Sequence, residues 1–186
     1  MREIEIKAKV ADKPGLLQAL KTAGIPLSEP ITQHDCVWGL IGVDGGENSN
    51  HAPWLRVRTE FKQGKTRYIF TLKKSVTNQL DSIEHETEVS NPEETAKIIE
   101  HSGFEPYSDT TKIRQKAQIG GVEVCVDTVE DLGDFIEAEK LTSDDADYDV
   151  VVKELWNLLK SFGVKREDEV TEGYDVMARR KMGLDT

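Results

Sequence analysis

Along much of this chain, apolar and charged residues alternate with a period of two. In EIEIK (3–7), Ile4 and Ile6 fall on one side of an extended strand and Glu3, Glu5 and Lys7 on the other. WLRVRTE (54–60) sets Arg56 and Arg58 against Leu55 and Val57, and TRYIFTLKK (66–74) sets Arg67, Ile69, Thr71 and Lys73 against Tyr68, Phe70 and Leu72. In KIRQKAQI (112–119), Lys112, Arg114 and Lys116 share a face. In VEVCVD (122–127), Glu123, Cys125 and Asp127 oppose Val122, Val124 and Val126. Around HETEV (85–89), Glu84, Glu86 and Glu88 are in phase, as are Glu137 and Glu139 in FIEAE (135–139). Each of these segments predicts a strand with one apolar and one charged face. Lys62-Gln63-Gly64-Lys65 and Gly120-Gly121 predict hairpin turns between neighbours.

Elsewhere the period lengthens to that of a helix. Asp12-Lys13-Pro14 opens GLLQALKTA, which Gly24 closes. Asn91-Pro92 opens EETAKIIEHS, with Glu94 at the capping-box position and Gly103 at the end. Ser143 starts an acidic turn leading into VVVKELWNLLKSF, whose stripe of Val151, Leu155, Leu158, Leu159 and Phe162 stops at Gly163. A repeat emerges: EIEIK, HETEV and FIEAE each carry Glu-x-Glu, and each leads into an amphipathic helix ending at Gly. DGGENSNHAP (44–53) has no periodicity and is expected to be a mobile loop.

The charged faces are sorted by strand, some basic and some acidic, whereas a solvated sheet more often mixes its polar residues along each strand. An open antiparallel sheet would leave these faces in water. A sheet closed into a barrel would turn them inward, with helices over the apolar outside, and its wet interior would need ions or a charged ligand.

Composition narrows the partners. The 186 residues, 37% hydrophobic and 32% charged, suit one domain over 1–186. A net charge of −11 disfavours nucleic acid and anionic membrane, and no apolar run is long enough to span a bilayer, so a cytoplasmic protein is expected. Cys36 and Cys125 are far apart and read as reduced thiols. His34, His51, His85 and His101 lack metal-ligand spacing and read as ordinary polar residues. Gly64-Lys65-Thr66 imitates the end of a phosphate-binding loop, but Thr59 stands where that loop needs its first glycine. Trp38 and Trp54 could stack a base, though packing is the plainer expectation.

Repeated Arg and Lys suit phosphate oxygens, while clustered carboxylates suit a hard cation such as Mg²⁺ or Mn²⁺. Together they point to a polyphosphate held by bases, with acids positioning a metal.

The ordered set EIEIK, WLRVR, FTLKK, HETEV, KIR and VDTVEDLGDFIEAE resembles the CYTH superfamily of triphosphate tunnel metalloenzymes over almost the whole chain. The branch it is most similar to is that of class IV adenylate cyclases. This resemblance implies an α+β fold: a closed antiparallel eight-stranded β-barrel, the tunnel, with helices packed outside. It implies a triphosphate substrate, ATP or tripolyphosphate, bound by Lys7, Arg56, Arg58, Lys73, Lys112 and Arg114. Lys7, Lys73 and Arg114 would serve catalysis. Glu3, Glu5, Glu86, Asp127, Glu137 and Glu139 would hold Mg²⁺ or Mn²⁺, with the choice among Glu84, Glu86 and Glu88 open. Tyr174 in EGYDVMARR resembles a C-terminal Tyr of the family, or is a packed aromatic. Conversion of ATP to cyclic AMP and pyrophosphate is the first expectation. Triphosphate hydrolysis and a non-catalytic polyphosphate sensor are the alternatives, and a homodimer is left open.

Overall fold

The computed structural model describes residues 2–42 and 52–184, so most of the loop expected at 44–53 lies outside the described residues. The chain runs β1 (Arg2–Lys9), α1 (Lys13–Thr22), β2 (Ile31–Leu40), β3 (Trp54–Lys62), β4 (Lys65–Asn78), β5 (Asp81–Val89), α2 (Pro92–His101), β6 (Phe104–Ile119), β7 (Val122–Val129), β8 (Gly133–Thr142), α3 (Tyr148–Lys160) and α4 (Tyr174–Lys181), with a 3₁₀ turn at Arg166–Asp168. The strands close into a barrel in the order β1-β5-β4-β3-β2-β6-β7-β8, and every pairing is antiparallel. The expected class, an antiparallel eight-stranded barrel with helices outside, is the one observed.

Closure follows from the alternation. The apolar faces of β1, β7 and β8 turn outward and bury Ile4, Ile6, Val124, Ile136 and Ala138 against Leu16 and Leu20 of α1 and Leu155, Trp156 and Leu159 of α3. A second cluster packs Trp38, Leu55 and Val57 under Ile99 of α2. A buried Leu or Ile side chain contributes about 1.5–3 kcal/mol relative to exposure, so this outer shell supplies the apolar stabilisation that a charged interior cannot. The β3–β4 and β6–β7 hairpins turn where expected, at Gln63-Gly64 (φ 51° and 78°) and Gly120-Gly121 (φ 55° and 84°), the left-handed pairs such two-residue turns require.

Helix caps are mostly as read. Asp12 accepts from the Gly15 amide, and Asn91 accepts from the Glu94 amide. The Glu94 carboxylate pairs with Lys97 at 2.6 Å rather than returning to the cap. The third helix is capped by Asp147, which accepts from the Asp149 and Val150 amides, and not by Ser143. Ser143 opens a separate turn in which its carbonyl accepts from Ala146. Pro106 falls within β6, and the register shifts there, between Val37 and Trp38 of β2, so that Tyr107 is the extra residue of a bulge.

The seam of the barrel is uneven. Among the described residues β1 pairs with β5 through Arg2, Glu3 and Ile4, with the Glu5 amide donating to the Leu80 carbonyl just beyond, whereas its pairing with β8 runs from Arg2 to Lys9. Beyond that short contact, β1 is met by the segment leading into α4. The Lys7 carbonyl accepts from the Val170 amide at 2.9 Å, and Ala8 bridges Glu169. Chain that follows all eight strands thus completes the wall that the first strand begins.

Candidate active site

The charged faces meet inside. Glu3, Glu5, Lys7, Arg56, Arg58, Lys73, Glu84, Glu86, Lys112, Arg114, Glu137 and Glu139 all line one cavity of about 480 Å³. Of the twelve residues singled out as catalytic, substrate-binding or metal-ligating, only Asp127 does not line it. That carboxylate is fully buried, bound by Arg114 through two contacts of 2.8 and 2.6 Å, and accepts a further hydrogen bond from the Tyr174 hydroxyl at 3.0 Å.

The cavity has two poles, set by strand register. At the acidic pole Glu5 on β1 faces Glu139 on β8, which in turn faces Glu123 on β7, so glutamates stand side by side across adjacent strands. Like charges directly opposite in a sheet destabilise it. Carboxylate oxygens of Glu5, Glu137 and Glu139 lie within 4.8 Å of one another. Burial, with Glu84 and Glu5 nearby, pushes Glu3 up to about 7. Burial likewise holds Glu139 well above the carboxylate range, with Glu3, Glu137 and Glu5 adding to the effect against Arg114. Burial alone would raise Glu137 too, but Arg114 and Lys7 overcome it and keep the group ionised. Lys7 sits 3.2 Å from Glu137, and Arg114 binds Glu137 closely while reaching Glu139 at 3.3 Å.

The basic pole gathers Arg58, Lys112 and Arg114. Asp35 on β2 stands opposite Arg58 and binds it bidentately at 2.6 and 2.8 Å, with Lys112 at 3.6 Å. Asp35 thus serves both Arg58 and Lys112, while Arg114 is met by Asp127 and Glu137. Burial, then repulsion from Arg114 and Arg58, lowers Lys112 to about 8. Arg56 hydrogen-bonds Thr71 and Glu86 through one terminal nitrogen, but its buried Nε has no partner among the described residues. A buried donor without an acceptor costs about 1–3 kcal/mol, and a bound anion would recover it.

The three in-phase glutamates separate in space. Glu84 is the one beside Glu3, paired with Lys73 at 3.0 Å; burial is outweighed by Lys73 and Arg56, leaving it at about 2. Glu86, the residue singled out for metal, is tied to Arg56 at 3.0 Å and Thr71 at 2.9 Å, and Glu88 is exposed. Tyr174 is no surface aromatic. It lies across one end of the cavity, its ring 4.2 Å from Lys7 Nζ, while the Glu172 carbonyl accepts from that same ammonium. Trp54 lines the cavity and meets Tyr107 edge-on at 4.6 Å, whereas Trp38 is packed outside under α2.

Asp35 was not read from the sequence. Its strand, ITQHDCVWGL, is polar on both faces, with Gln33 and Asp35 on one side and His34 and Cys36 on the other. It therefore lacks the apolar-against-charged signal of its neighbours. The available clue was an acid in phase with Val37, in a span long enough for the missing eighth strand.

A barrel interior that sorts bases from acids offers cationic side chains to an anion and carboxylate oxygens to a cation. The chain belongs to the CYTH domain family, whose model matches residues 1–174. It is similar to a Methanocaldococcus jannaschii protein named "Putative adenylate cyclase", with 28% identity over 94% of this chain and 97% of that one. In fold it is similar to the PH1819 protein of Pyrococcus horikoshii, with a TM-score of 0.81 and 21% identity over 96% of this chain and 99% of the other. It is also similar in fold to a Hippeastrum protein described as a "putative adenylyl cyclase" that "reveals a dominant" triphosphatase activity. That likeness has a TM-score of 0.60 and 18% identity, over 98% of this chain and 95% of that one. Among the described residues no helix is long and apolar enough to cross a membrane.

Proposed function

We propose that the protein binds a triphosphate in the barrel together with a divalent cation and hydrolyses its terminal phosphoanhydride bond. The observation that carries this reading is that one cavity places Arg56, Arg58, Lys112 and Arg114 beside the carboxylate cluster of Glu5, Glu137 and Glu139. Burial and then neighbouring cations lower Lys112 to about 8, and burial and then neighbouring carboxylates raise Glu3 to about 7. Bound triphosphate answers the first and a cation the second.

The donor set at the acidic pole is all carboxylate oxygen, which suits Mg²⁺ or Mn²⁺. Glu5, Glu137 and Glu139 would hold the ion, with Glu3 and Glu84 beside them. When bound, such an ion supplies charge stabilisation at the phosphate oxygens. Arg56, Arg58, Lys73, Lys112 and Arg114 hold the phosphates in line, and Lys7 and Arg114 connect the two poles through Glu137. Fixed cations aimed at developing charge lower the barrier without reorganising during the reaction. Asp127 anchors Arg114 and Tyr174 in this scheme and is not assigned a metal-binding role.

Hydrolysis is favoured because it asks only for phosphate clamping and a water molecule. Cyclisation of ATP also requires the ribose 3′-hydroxyl to be aligned on the α-phosphorus. The second reading, an adenylate cyclase, draws on the name of the M. jannaschii relative and on Trp54 and Tyr107, aromatic surface against which a base could rest. Incubation with tripolyphosphate, and separately ATP, with Mg²⁺ or Mn²⁺ tests the two. Orthophosphate from both substrates without cyclic AMP is expected. Cyclic AMP with pyrophosphate replaces hydrolysis by cyclisation, and saturable binding without turnover of either substrate overturns both.

A further inference from the structure

On the outside of the barrel, away from the charged cavity, β2 and β6 bring together a histidine, a cysteine and an aspartate. His34 and Cys36 are two residues apart on β2 and so project from the same face; Asp109 on β6 pairs directly with Cys36. His34 Nε2 lies 2.6 Å from one Asp109 oxygen, and Cys36 Sγ is 3.7 Å from the other. One ligand atom from each of the three lies within 4.8 Å of the other two.

We propose that His34, Cys36 and Asp109 form a binding site for a borderline divalent cation of the Zn²⁺ or Co²⁺ type, separate from the cavity. The donor chemistry selects the ion. Imidazole nitrogen, thiolate and carboxylate are ligands for Zn²⁺ and its neighbours, whereas Mg²⁺ takes oxygen. Ligand bonds of about 2.0–2.3 Å around a tetrahedral ion put donor atoms roughly 3–4 Å apart, so the cluster needs only small side-chain rotations to close on one. His34 and Asp109 are 43% and 67% exposed as side chains, which leaves a path for entry and a fourth position for water.

The same surroundings argue against the other use of an accessible thiol. Reactive cysteines are activated by a nearby cation or a helix N-terminus. The charged groups facing Cys36 are Asp109 and Asp35, both acids, so no neighbouring cation activates the thiol. The bound ion would also pin β2 to β6 directly behind Asp35, whose side chain grips Arg58 on the inner face.

The test is titration of the metal-free, reduced full chain with Co²⁺, following the near-ultraviolet thiolate-to-cobalt charge-transfer band. One equivalent should develop the band, excess Zn²⁺ should remove it, and excess Mg²⁺ should leave it. Cys36→Ser should abolish it, and His34→Ala and Asp109→Asn should each weaken Co²⁺ binding about tenfold or more. Cys125→Ser should leave the band in place, because Cys125 lies with Glu123 and Glu139 in a different group. Absence of the band, its survival in Cys36→Ser, or its loss in Cys125→Ser or on adding Mg²⁺ overturns the proposal. If Cys36→Ser melts early, the two other ligand variants carry the test alone.

Discussion

Raising the pH from about 5.5 to about 8 should destabilise the metal-free protein, because the acidic pole must then ionise without a counter-ion. Glu3 carries the argument. Its ordinary value is 4.5, and in the barrel it is raised to about 7 by burial, Glu84 and Glu5. A raised carboxyl binds its proton more tightly folded than unfolded. Its contribution to stability is therefore fully present at low pH and is lost as the pH rises through 7. Over this window the linkage relation gives a loss of about 2 kcal/mol from Glu3, and Glu139, also held high, acts in the same direction. Groups shifted the other way do not interfere. Asp35, Glu84 and Glu137 are held low, so their contributions are lost only below the ordinary carboxylate range. Lys112, lowered to about 8 from 10.5, begins to lose its proton at the top of the window and offsets the loss by only about 0.4 kcal/mol. The assay is urea unfolding in EDTA at both pH values, repeated with Mg²⁺ and with Glu3→Gln. Mg²⁺ should restore stability at the higher pH, and Glu3→Gln should flatten the pH dependence by about 2 kcal/mol. Stability that stays level or rises with pH in EDTA would refute the reasoning.

Other outcomes follow from the same contacts. Glu5→Gln should keep the barrel folded by circular dichroism, while turnover and the rise in Tm caused by Mg²⁺ are lost. Arg58→Ala should raise KM for tripolyphosphate and also cost about 3–5 kcal/mol in urea unfolding, because Asp35 is left charged and buried. Tyr174→Phe should cost about 1 kcal/mol by removing the hydrogen bond to Asp127, with little effect on metal affinity. Tripolyphosphate with Mg²⁺ at a hundred times its Kd should stabilise the protein by about 2.7 kcal/mol in thermal melts, and a Tm indifferent to both would count against the tunnel.

What could be read from the sequence was whatever a single strand encodes by itself. Arg56 and Arg58 announced an inner face because Leu55 and Val57 stood opposite, and Glu137 and Glu139 did so beside Ile136 and Ala138. Relations across strands were hidden. Asp35 gains its meaning from Arg58 and Lys112, and Glu84 is set apart from Glu86 by Glu3 and Lys73. The α4 helix, rich in charge and short of apolar residues, carried no stripe, yet Tyr174 at its start closes the cavity through contacts spread along the chain. The cap of α3 slipped from Ser143 to Asp147 because a run of capping residues offers several starts, and only the turn at Ser143–Ala146 decides among them.

The uneven seam bears on how this molecule is born. Its first strand emerges from the ribosome early, but its long partner spans Gly133–Thr142, and its remaining edge is met by Glu169 and Val170. Contacts so distant in sequence form slowly and only after the intervening chain has been made. EIEIK, apolar on one face and charged on the other, therefore waits for its long partner until Gly133–Thr142 has been made. A nascent chain stalled before Glu169 cannot complete the wall, so translation itself withholds the finished tunnel until the segment leading into α4 has been made.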